Sequence, residues 1–216
     1  MKKIKKPLLI AIFLFVALLI SSLSNIVLAF RDGEKIRQKV VRLHIIANSD
    51  SEQDQSLKLK VRDEIISKTA NLFSTVNNAG QAIEKARQNS KLIEKIANEE
   101  IIKNEFNYCA KVVIGNIYFP TREYNDNVVL PAGDYSAVRI IIGEGKGGNW
   151  WCVLFPNICV PSSIVRQKNM SDVLSDGALN LTKTPNSSKA KLRLKSVEFF
   201  NELYNKLREK LREIIK

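Results

Sequence analysis

Apolar and polar residues alternate along the chain with two different periods. Residues 40–48, VVRLHIIAN, are apolar and β-branched, with Arg42 and His44 on one side. This pattern predicts a strand that is buried mainly on its other side. Ser51 and Asp54 then have the three-residue spacing of a capping box, so a helix is predicted to begin there. The apolar stripe of this helix comprises Leu57, Val61, Ile65 and Leu72.

A second predicted helix begins near Asn78, which has Gln81 three positions on, and it is interrupted near residues 88–90. Its apolar residues are Ile83, Ala86, Ile93, Ile96 and Ile101. From Tyr108 onward the pattern changes to that of strands. The segments YCAKVVIGNIYF, DYSAVRIIIGEG and NWWCVLFP are apolar or β-branched and are separated by Pro, Gly, Asn or Asp. We expect these three strands to pair antiparallel.

The last part of the chain is predicted to contain a loop and a helix. Residues 161–188 are polar and contain Gly177 and Pro185, which predicts a loop or at best a short helix. Residues 197–215 carry an apolar stripe at helical spacing among basic residues. The order of strand, helices, strands and helix predicts an α+β fold. We expect a single domain over residues 30–216, with a mainly antiparallel sheet, two N-terminal helices and a C-terminal helix.

The amino terminus has the pattern of an export signal. Four lysines precede an uncharged apolar run from Leu8 to Ile20, and Val27, Leu28 and Ala29 provide a small-residue cleavage site. Residues 1–29 are therefore predicted to be a signal peptide. Because the weakly polar residues that follow extend the apolar segment, residues 8–29 could instead be retained as a membrane anchor. Either alternative places residues 30–216 outside the cytoplasm.

The net charge of +12 is concentrated towards the carboxyl end. Residues 183–216 contain ten basic and four acidic side chains. The sequence has no zinc-finger spacing, aromatic RNA-binding signature or recognition-helix pattern, so we expect no nucleic-acid partner. An anionic membrane surface or an acidic protein fits an exported basic segment better.

The glycine-rich stretch GEGKGGN, residues 143–149, resembles a phosphate-binding loop only in its composition. Such a loop requires Ser or Thr after its lysine and a helix behind it. Here Gly147 follows Lys146, and the next residues have the pattern of a strand. We therefore expect a flexible hairpin tip rather than a nucleotide site.

The chain has three cysteines. Cys152 and Cys159 are too far apart for a C-x-x-C redox motif, and no second Cys/His pair completes a zinc site. Outside the cytoplasm the two favour a disulfide, and the alternative is that both are reduced core residues. Cys109 lies in an alternating strand pattern, for which we expect a buried free thiol.

The one histidine limits the kinds of catalysis open to this chain. A Ser/His/Asp or Cys/His site would have to use His44, and a histidine within a strand is more often structural than catalytic. Five acidic residues could form a carboxylate pair or a cation site, but their positions suit helix caps and a helix surface. These residues are Asp50, Glu52, Asp54, Asp63 and Glu64. We expect no catalytic residues, no metal and no cofactor.

Two parts of the chain are candidates for contact with a partner. The segment HIIANSDSEQDQ lies where a strand ends and a helix begins, so its polar side chains converge on one surface. Trp150 and Trp151 must point to opposite sides of their strand, so one of them is left to be covered by this chain or by a partner. The predicted partner-binding residues are His44, Asn48, Asp50, Asp54, Gln55, Lys58, Arg62, Asn149, Trp150 and Trp151.

Three segments together resemble the stage II sporulation protein R family. They are RLHIIANSDSEQDQSLKLKVRDEI, PAGDYSAVRIIIGEGKGGNWWCVLFPNIC and the basic amphipathic C-terminal segment, in that order. The resemblance implies an exported signalling protein of endospore formation. It would be secreted across the forespore membrane into the intermembrane space and would activate the membrane-embedded aspartic protease that processes pro-sigma-E, stage II sporulation protein GA. In that role the chain is a ligand and not an enzyme.

Three classes of function therefore compete at the level of the sequence. The first is a signalling protein that activates a receptor, the second an extracytoplasmic hydrolase, and the third a cell-surface binding module held by its basic tail. Loss of activity on His44→Ala without loss of fold would indicate the hydrolase. Release by salt would indicate the binding module.

Overall fold

The computed structural model describes residues 6–124, 128–156 and 170–182. They fall into two compact units. One unit contains the described residues up to Glu34, those of 120–132, and 180–182. The other contains residues 35–119 and the described residues of 133–179. The single domain expected from the chain length stays a prediction.

The secondary structure is mixed, which confirms the α+β class. The helices are α1 (Lys6–Lys39), α2 (Glu52–Ser74), α3 (Ala79–Gln88), α4 (Ser90–Lys103), α5 (Met170–Val173) and α6 (Asp176–Thr182). The strands are β1 (Val41–Ile46), β2 (Ala110–Phe119), β3 (Arg122–Tyr124), β4 (Val128–Leu130), β5 (Gly133–Ile142) and β6 (Asn149–Phe155). Two short helices thus lie within the predicted loop at 161–188. The predicted C-terminal helix lies outside the described residues.

The predicted helix starts are confirmed by their caps. The Ser51 side chain accepts a hydrogen bond from the backbone N–H of Asp54 at the start of α2. The Asn78 side chain does the same for Gln81 at the start of α3. The predicted interruption is the junction between α3 and α4 at Asn89. These signals are local, because each cap satisfies an N–H group three residues away that the helix itself leaves unpaired.

Helices α2, α3 and α4 contribute one side of the main hydrophobic core. The predicted apolar stripes face into it, and Leu72 packs at its margin while the others are buried. The opposite side of this core is one face of the four-stranded sheet. Val41, Leu43 and Ile45 of β1 point into it, as do Val138, Ile140 and Ile142 of β5. Burial of these side chains supplies the main driving force for folding this unit.

The four strands are ordered β2-β5-β1-β6. Strand β1 is parallel to β5 and antiparallel to β6, while β2 and β5 are antiparallel. The expected antiparallel pairing is therefore confirmed for β2 and β5. It is wrong for β5 and β6, which are not neighbours because β1 lies between them. The sheet is mixed, and β3 and β4 form a separate antiparallel pair.

Strand β1 is buried on both faces, which corrects the prediction of a strand buried mainly on one side. Arg42 is 0% exposed and His44 is nearly as buried. The Arg42 guanidinium lies over the rings of Phe119 and Tyr135, at 4.1 and 4.9 Å from their centroids. Because aromatic faces attract a cation, Arg42 can be buried against these two rings although the sequence pattern marks it as polar.

Helix α1 runs without interruption through the predicted signal segment to Lys39. Several apolar side chains of its first half are exposed, including Phe13, Phe15 and Leu18. Within the described part of the chain, no helix combines the length and apolarity needed to span a membrane. The signal peptide over residues 1–29 stays a prediction.

Candidate functional site

The glycine-rich stretch crosses the end of the central strand. We call residues 143–148 the glycine loop. Residues 47–54, which comprise the connection from β1 to α2 and the first residues of α2, are called the corner. Because β5 and β6 flank β1, the glycine loop must pass over the corner. Lys146 N–H donates to the Asn48 carbonyl at 3.1 Å, Gly147 N–H donates to the Ala47 carbonyl at 3.0 Å, and Ala47 N–H donates to the Gly148 carbonyl at 3.3 Å. The expected flexible hairpin tip is therefore wrong, since this loop is bonded to the corner.

Close approach explains why the loop contains glycine. A Cβ atom on Gly147 would lie 2.0 Å from the backbone oxygen of Ser49, far inside contact distance. Gly143 has φ of +57°, and a Cβ there would lie 2.2 Å from the Asn48 amide oxygen. Larger residues at either position would push the loop away from the corner. The glycines thus serve packing and backbone geometry rather than phosphate binding.

Asp54 is the centre of the hydrogen bonds beneath the loop. It is only 5% exposed. Its carboxylate accepts hydrogen bonds from the Tyr108 hydroxyl, the Ser49 hydroxyl and, at 2.8 Å, the Asn48 amide. Burial raises the pKa of Asp54, but these bonds outweigh it and hold the pKa below its ordinary value. Asp54 is therefore an ionised side chain inside the corner.

Two further side chains join the network to the loop. The Asn48 amide oxygen accepts the Glu144 N–H at 2.9 Å, so Asn48 bridges Asp54 and the loop. The Lys58 ammonium donates to the Gln55 side chain at 2.6 Å and to the Gly148 carbonyl at 3.1 Å. Burial lowers the pKa of Lys58 from its ordinary value. Helix α2, the corner and the glycine loop are thus held as one unit.

His44 lies on the other face of the sheet and is held at both ring nitrogens. The Arg139 guanidinium donates to Nδ1 at 3.0 Å, so the proton is on Nε2, which donates to the Asn149 side chain at 2.6 Å. Its ring stacks on Trp151, with 3.8 Å between centroids. Burial is the main cause that lowers the pKa of His44 to about 4. His44 is thus a neutral structural side chain at pH 7.

The two adjacent tryptophans face opposite sides of β6, as predicted. Trp150 packs against the main core, and the Arg62 guanidinium lies 4.2 Å from its ring centroid. Trp151 packs on His44 and, edge to face, on Phe119. Both tryptophans are half-buried. Each is therefore covered in part by this chain and retains an accessible edge.

The cysteines differ from one another in state. Cys152 is disulfide-bonded. Cys159 lies outside the described residues, so its pairing with Cys152 stays a prediction. Cys109 is a free thiol, but it is exposed, which corrects the expected burial. It immediately precedes β2 and alternates with the buried Ala110, so it lies on the same exposed side as Lys111 and Val113.

The structure brings the predicted partner-binding residues into two adjoining groups. Around the corner lie Asn48, Asp50, Asp54, Gln55 and Lys58, and along or beside β6 lie His44, Arg62, Asn149, Trp150 and Trp151. His44, Asp54 and Lys58 are buried, while Asp50 and Asn149 are exposed. A molecule docking here would meet the exposed members, and partner contact by any of them stays a prediction. No His, Cys, Asp and Glu cluster suited to a metal occurs in the described ranges.

Sequence patterns did not identify four residues that build this site. Ser49 and Tyr108 supply donors to Asp54, Arg139 fixes His44, and Gly147 sets the distance between loop and corner. Tyr108 and Arg139 are 54 and 95 positions from their partners, so no local spacing reveals them. Of these four residues, Ser49 had a local signal, because it lies two positions before the predicted cap Ser51.

Comparison with known proteins connects this geometry to a family. The profile of the family described as stage II sporulation protein R matches residues 37–165, which include the corner and the glycine loop. The chain belongs to the stage II sporulation protein R family. A curated member of that name from Bacillus subtilis (strain 168) is 40% identical over 124 residues, covering 57% of this chain and 55% of the relative. The alignment thus spans about half the length of that relative. None of the solved structures matches the chain.

Family membership gives the site its context. Two of the three segments that resemble the stage II sporulation protein R family, residues 42–65 and 131–159, lie within the matched residues, and the basic C-terminal segment lies beyond them. These two segments are far apart in sequence. In the fold, backbone hydrogen bonds between the corner and the glycine loop join them. The surface they build is therefore a property of the family-matched part of the chain.

Proposed function

We propose that this chain is an exported signalling protein of endospore formation. Its partner is the membrane-embedded aspartic protease that processes pro-sigma-E, stage II sporulation protein GA. The chain acts as a non-catalytic ligand from the intermembrane space, delivered there by the N-terminal apolar run, whether that run is cleaved or retained as an anchor. Membership in the stage II sporulation protein R family supports this role.

The observation that carries the proposal is the pre-organised surface at the corner. The glycine loop is fixed by backbone hydrogen bonds to the corner, and the Asp54 network fixes the corner from beneath. A surface that is already ordered loses little conformational entropy on binding, so it suits a recognition role. Asp50, Glu144 and Lys146 project from it and are exposed.

The geometry of His44 argues against the competing hydrolase. A general base needs a ring nitrogen whose lone pair can accept a proton from the nucleophile. In this chain Nδ1 already accepts from Arg139, and Nε2 carries the proton that is donated to Asn149. The one histidine is therefore committed to the structure of the sheet. This favours the signalling role over acid–base catalysis that depends on His44.

Co-expression in vegetative cells tests the proposal. The full chain, the protease and pro-sigma-E are produced together, and processing is followed by immunoblot of the sigma factor. We expect the processed form when all three are present and not when the chain is omitted. A control chain with the apolar run Leu8–Ile20 replaced by polar residues should be retained in the cell and inactive. Equal processing without the chain, or with the retained chain, would refute the proposal.

A further inference from the structure

The face of the sheet that carries His44 is closed at one end and open at the other. At the closed end, Phe119 and Tyr135 are fully buried. At the end next to the corner, Val113 is 47% exposed, Lys111 is exposed, and Ile46, Arg139, Ile141 and Trp151 are half-buried. We call these six residues the open face. The strand register places them side by side across all four strands.

Among the residues that the structure describes, no carboxylate lies beside Arg139 on this surface. Its neighbours across the sheet are Val113 on one side and His44 on the other. Its Nε group donates to the neutral His44 ring, and no ion pair involves Arg139 or Lys111 in the described residues. The strand positions that point to this face include no Asp or Glu. Within the described part of the chain, the open face therefore combines positive charge with an apolar surface and has no facing carboxylate.

The bond to His44 also orients the guanidinium. With Nε held, the terminal nitrogens of Arg139 are the groups available to an incoming molecule. A planar guanidinium matches a carboxylate through two parallel hydrogen bonds, and such pairs are strongest where water is partly excluded. Burial lowers the pKa of Arg139, which reflects this partial exclusion, yet an arginine keeps its charge at pH 7.

We propose that the open face receives a carboxylate-bearing segment of the protease that this chain activates, with the carboxylate on Arg139 and apolar side chains on Val113, Ile141 and Trp151. This inference rests on the proposed function and specifies the chemistry of the partner. Charge complementarity selects the occupant, because the described residues of this face offer cations and apolar area and include no carboxylate. The surface continues from the corner, so one partner can contact both.

A membrane surface is a weaker match for the same residues. Attraction to anionic headgroups contributes about 1 kcal/mol for each basic residue near the surface, so Lys111 and Arg139 would give only weak binding. One of the two cations is also half-buried among apolar neighbours. A fixed guanidinium between apolar side chains suits a single carboxylate on a polypeptide better than a diffuse layer of phosphates.

Two substitutions of opposite charge at Val113 test the proposal in the co-expression assay. Val113 lies on the edge strand β2 beside Arg139 and is 47% exposed, so the fold should tolerate either charge. Val113→Glu should raise the amount of chain required for half-maximal processing about tenfold or more, because like charges across an interface oppose binding. Val113→Lys loses the same apolar contact but adds charge of the complementary sign, so it should reach half-maximal processing with at least about fivefold less chain than Val113→Glu.

Arg139→Gln and Ile102→Glu complete the design. Arg139→Gln should also weaken activation about tenfold or more, with thermal melting used to confirm that the sheet still folds. Ile102 is 71% exposed on α4, away from the open face, so Ile102→Glu is a matched control and should behave as the natural chain. Equal activity of both Val113 variants, or equal loss in both, would overturn the proposal.

The experiment separates failure of the inference from failure of the proposed function. If the natural chain triggers no processing, the proposed function is wrong and this inference fails with it. If the natural chain triggers processing and the Val113 pair does not differ, only the inference is wrong. Sedimentation with vesicles of phosphatidylglycerol, compared with phosphatidylcholine, tests the membrane. Selective binding that Val113→Glu abolishes would assign the open face to lipid and overturn the protein partner.

Discussion

Removal of the Asp54 carboxylate should release residues 48 and 49 of the corner from the first turn of α2. Asp54 is buried, and its two oxygens accept hydrogen bonds from Tyr108, Ser49 and Asn48. Asp54→Ala leaves these three donors without their acceptor. Asp54→Asn keeps the shape and one carbonyl oxygen, and the Tyr108 hydroxyl can turn to accept from the new amide. The two variants therefore separate loss of the network from loss of its charge.

The magnitudes follow from the number of bonds and their exposure. A hydrogen bond to a charged group contributes about 1.5–3 kcal/mol, but the three donors are half-buried and water can replace part of each bond. We expect Asp54→Ala to lower the free energy of unfolding by about 3–5 kcal/mol. Asp54→Asn should cost about 1–2 kcal/mol, since it removes the charge and keeps acceptors for its neighbours.

Urea denaturation followed by tryptophan fluorescence measures both values. Because hydrogen bonds hold the pKa of Asp54 below its ordinary value of 3.8, the carboxylate stabilises the fold at neutral pH. This contribution is lost as the pH falls below 3.8 through the lower value of the folded chain. The gap between the natural chain and Asp54→Asn should therefore narrow in acid. An Asp54→Ala chain within about 0.5 kcal/mol of the natural chain at pH 7 would refute the reasoning.

Three further predictions follow from single contacts. Gly147→Ala should destabilise the fold by about 2–3 kcal/mol because its Cβ meets the Ser49 backbone, whereas Gly115→Ala, with open space around it, should be neutral or slightly stabilising in the same urea titration. The pKa of His44 is about 4 in the fold and 6.5 in the unfolded chain, so protonation favours the unfolded chain as the pH falls between these values. The free energy of unfolding should fall by about 1–2 kcal/mol over this range, a figure reduced to account for screening by solvent. His44→Gln should flatten this dependence on pH. Alkylation of the folded, unreduced chain should label Cys109 and not Cys152, and mass spectrometry that finds Cys152 labelled would contradict its disulfide.

Features that depend on neighbouring residues were predictable from the sequence. The caps at Ser51 and Asn78 and the break at Asn89 were located correctly, because each is decided within three or four residues. The opposite directions of Trp150 and Trp151 also followed from strand geometry alone. Local rules therefore located the starts of α2 and α3, the break between α3 and α4, and the two faces of β6.

Features that depend on distant residues were not predictable. Strand β1 enters the sheet beside β5, which lies about ninety positions later, and this insertion turns an expected hairpin tip into a loop bonded to the corner. The burial of Arg42 likewise depends on Phe119 and Tyr135 from two other strands. A glycine-rich pattern predicts freedom of the backbone, but only the fold shows that Gly147 is needed for a close contact.

We propose that the partner reads the signal at the corner and the open face and not at the basic tail. Sigma processing in the co-expression assay, compared between Asp50→Lys and the tail double variant Arg208→Glu and Arg212→Glu, tests this most directly. Asp50 is exposed at the corner, so its reversal should silence processing without loss of fold, while the tail reversal should lower it modestly and more at low salt. Normal processing with Asp50→Lys and silence with the tail variant would contradict the account.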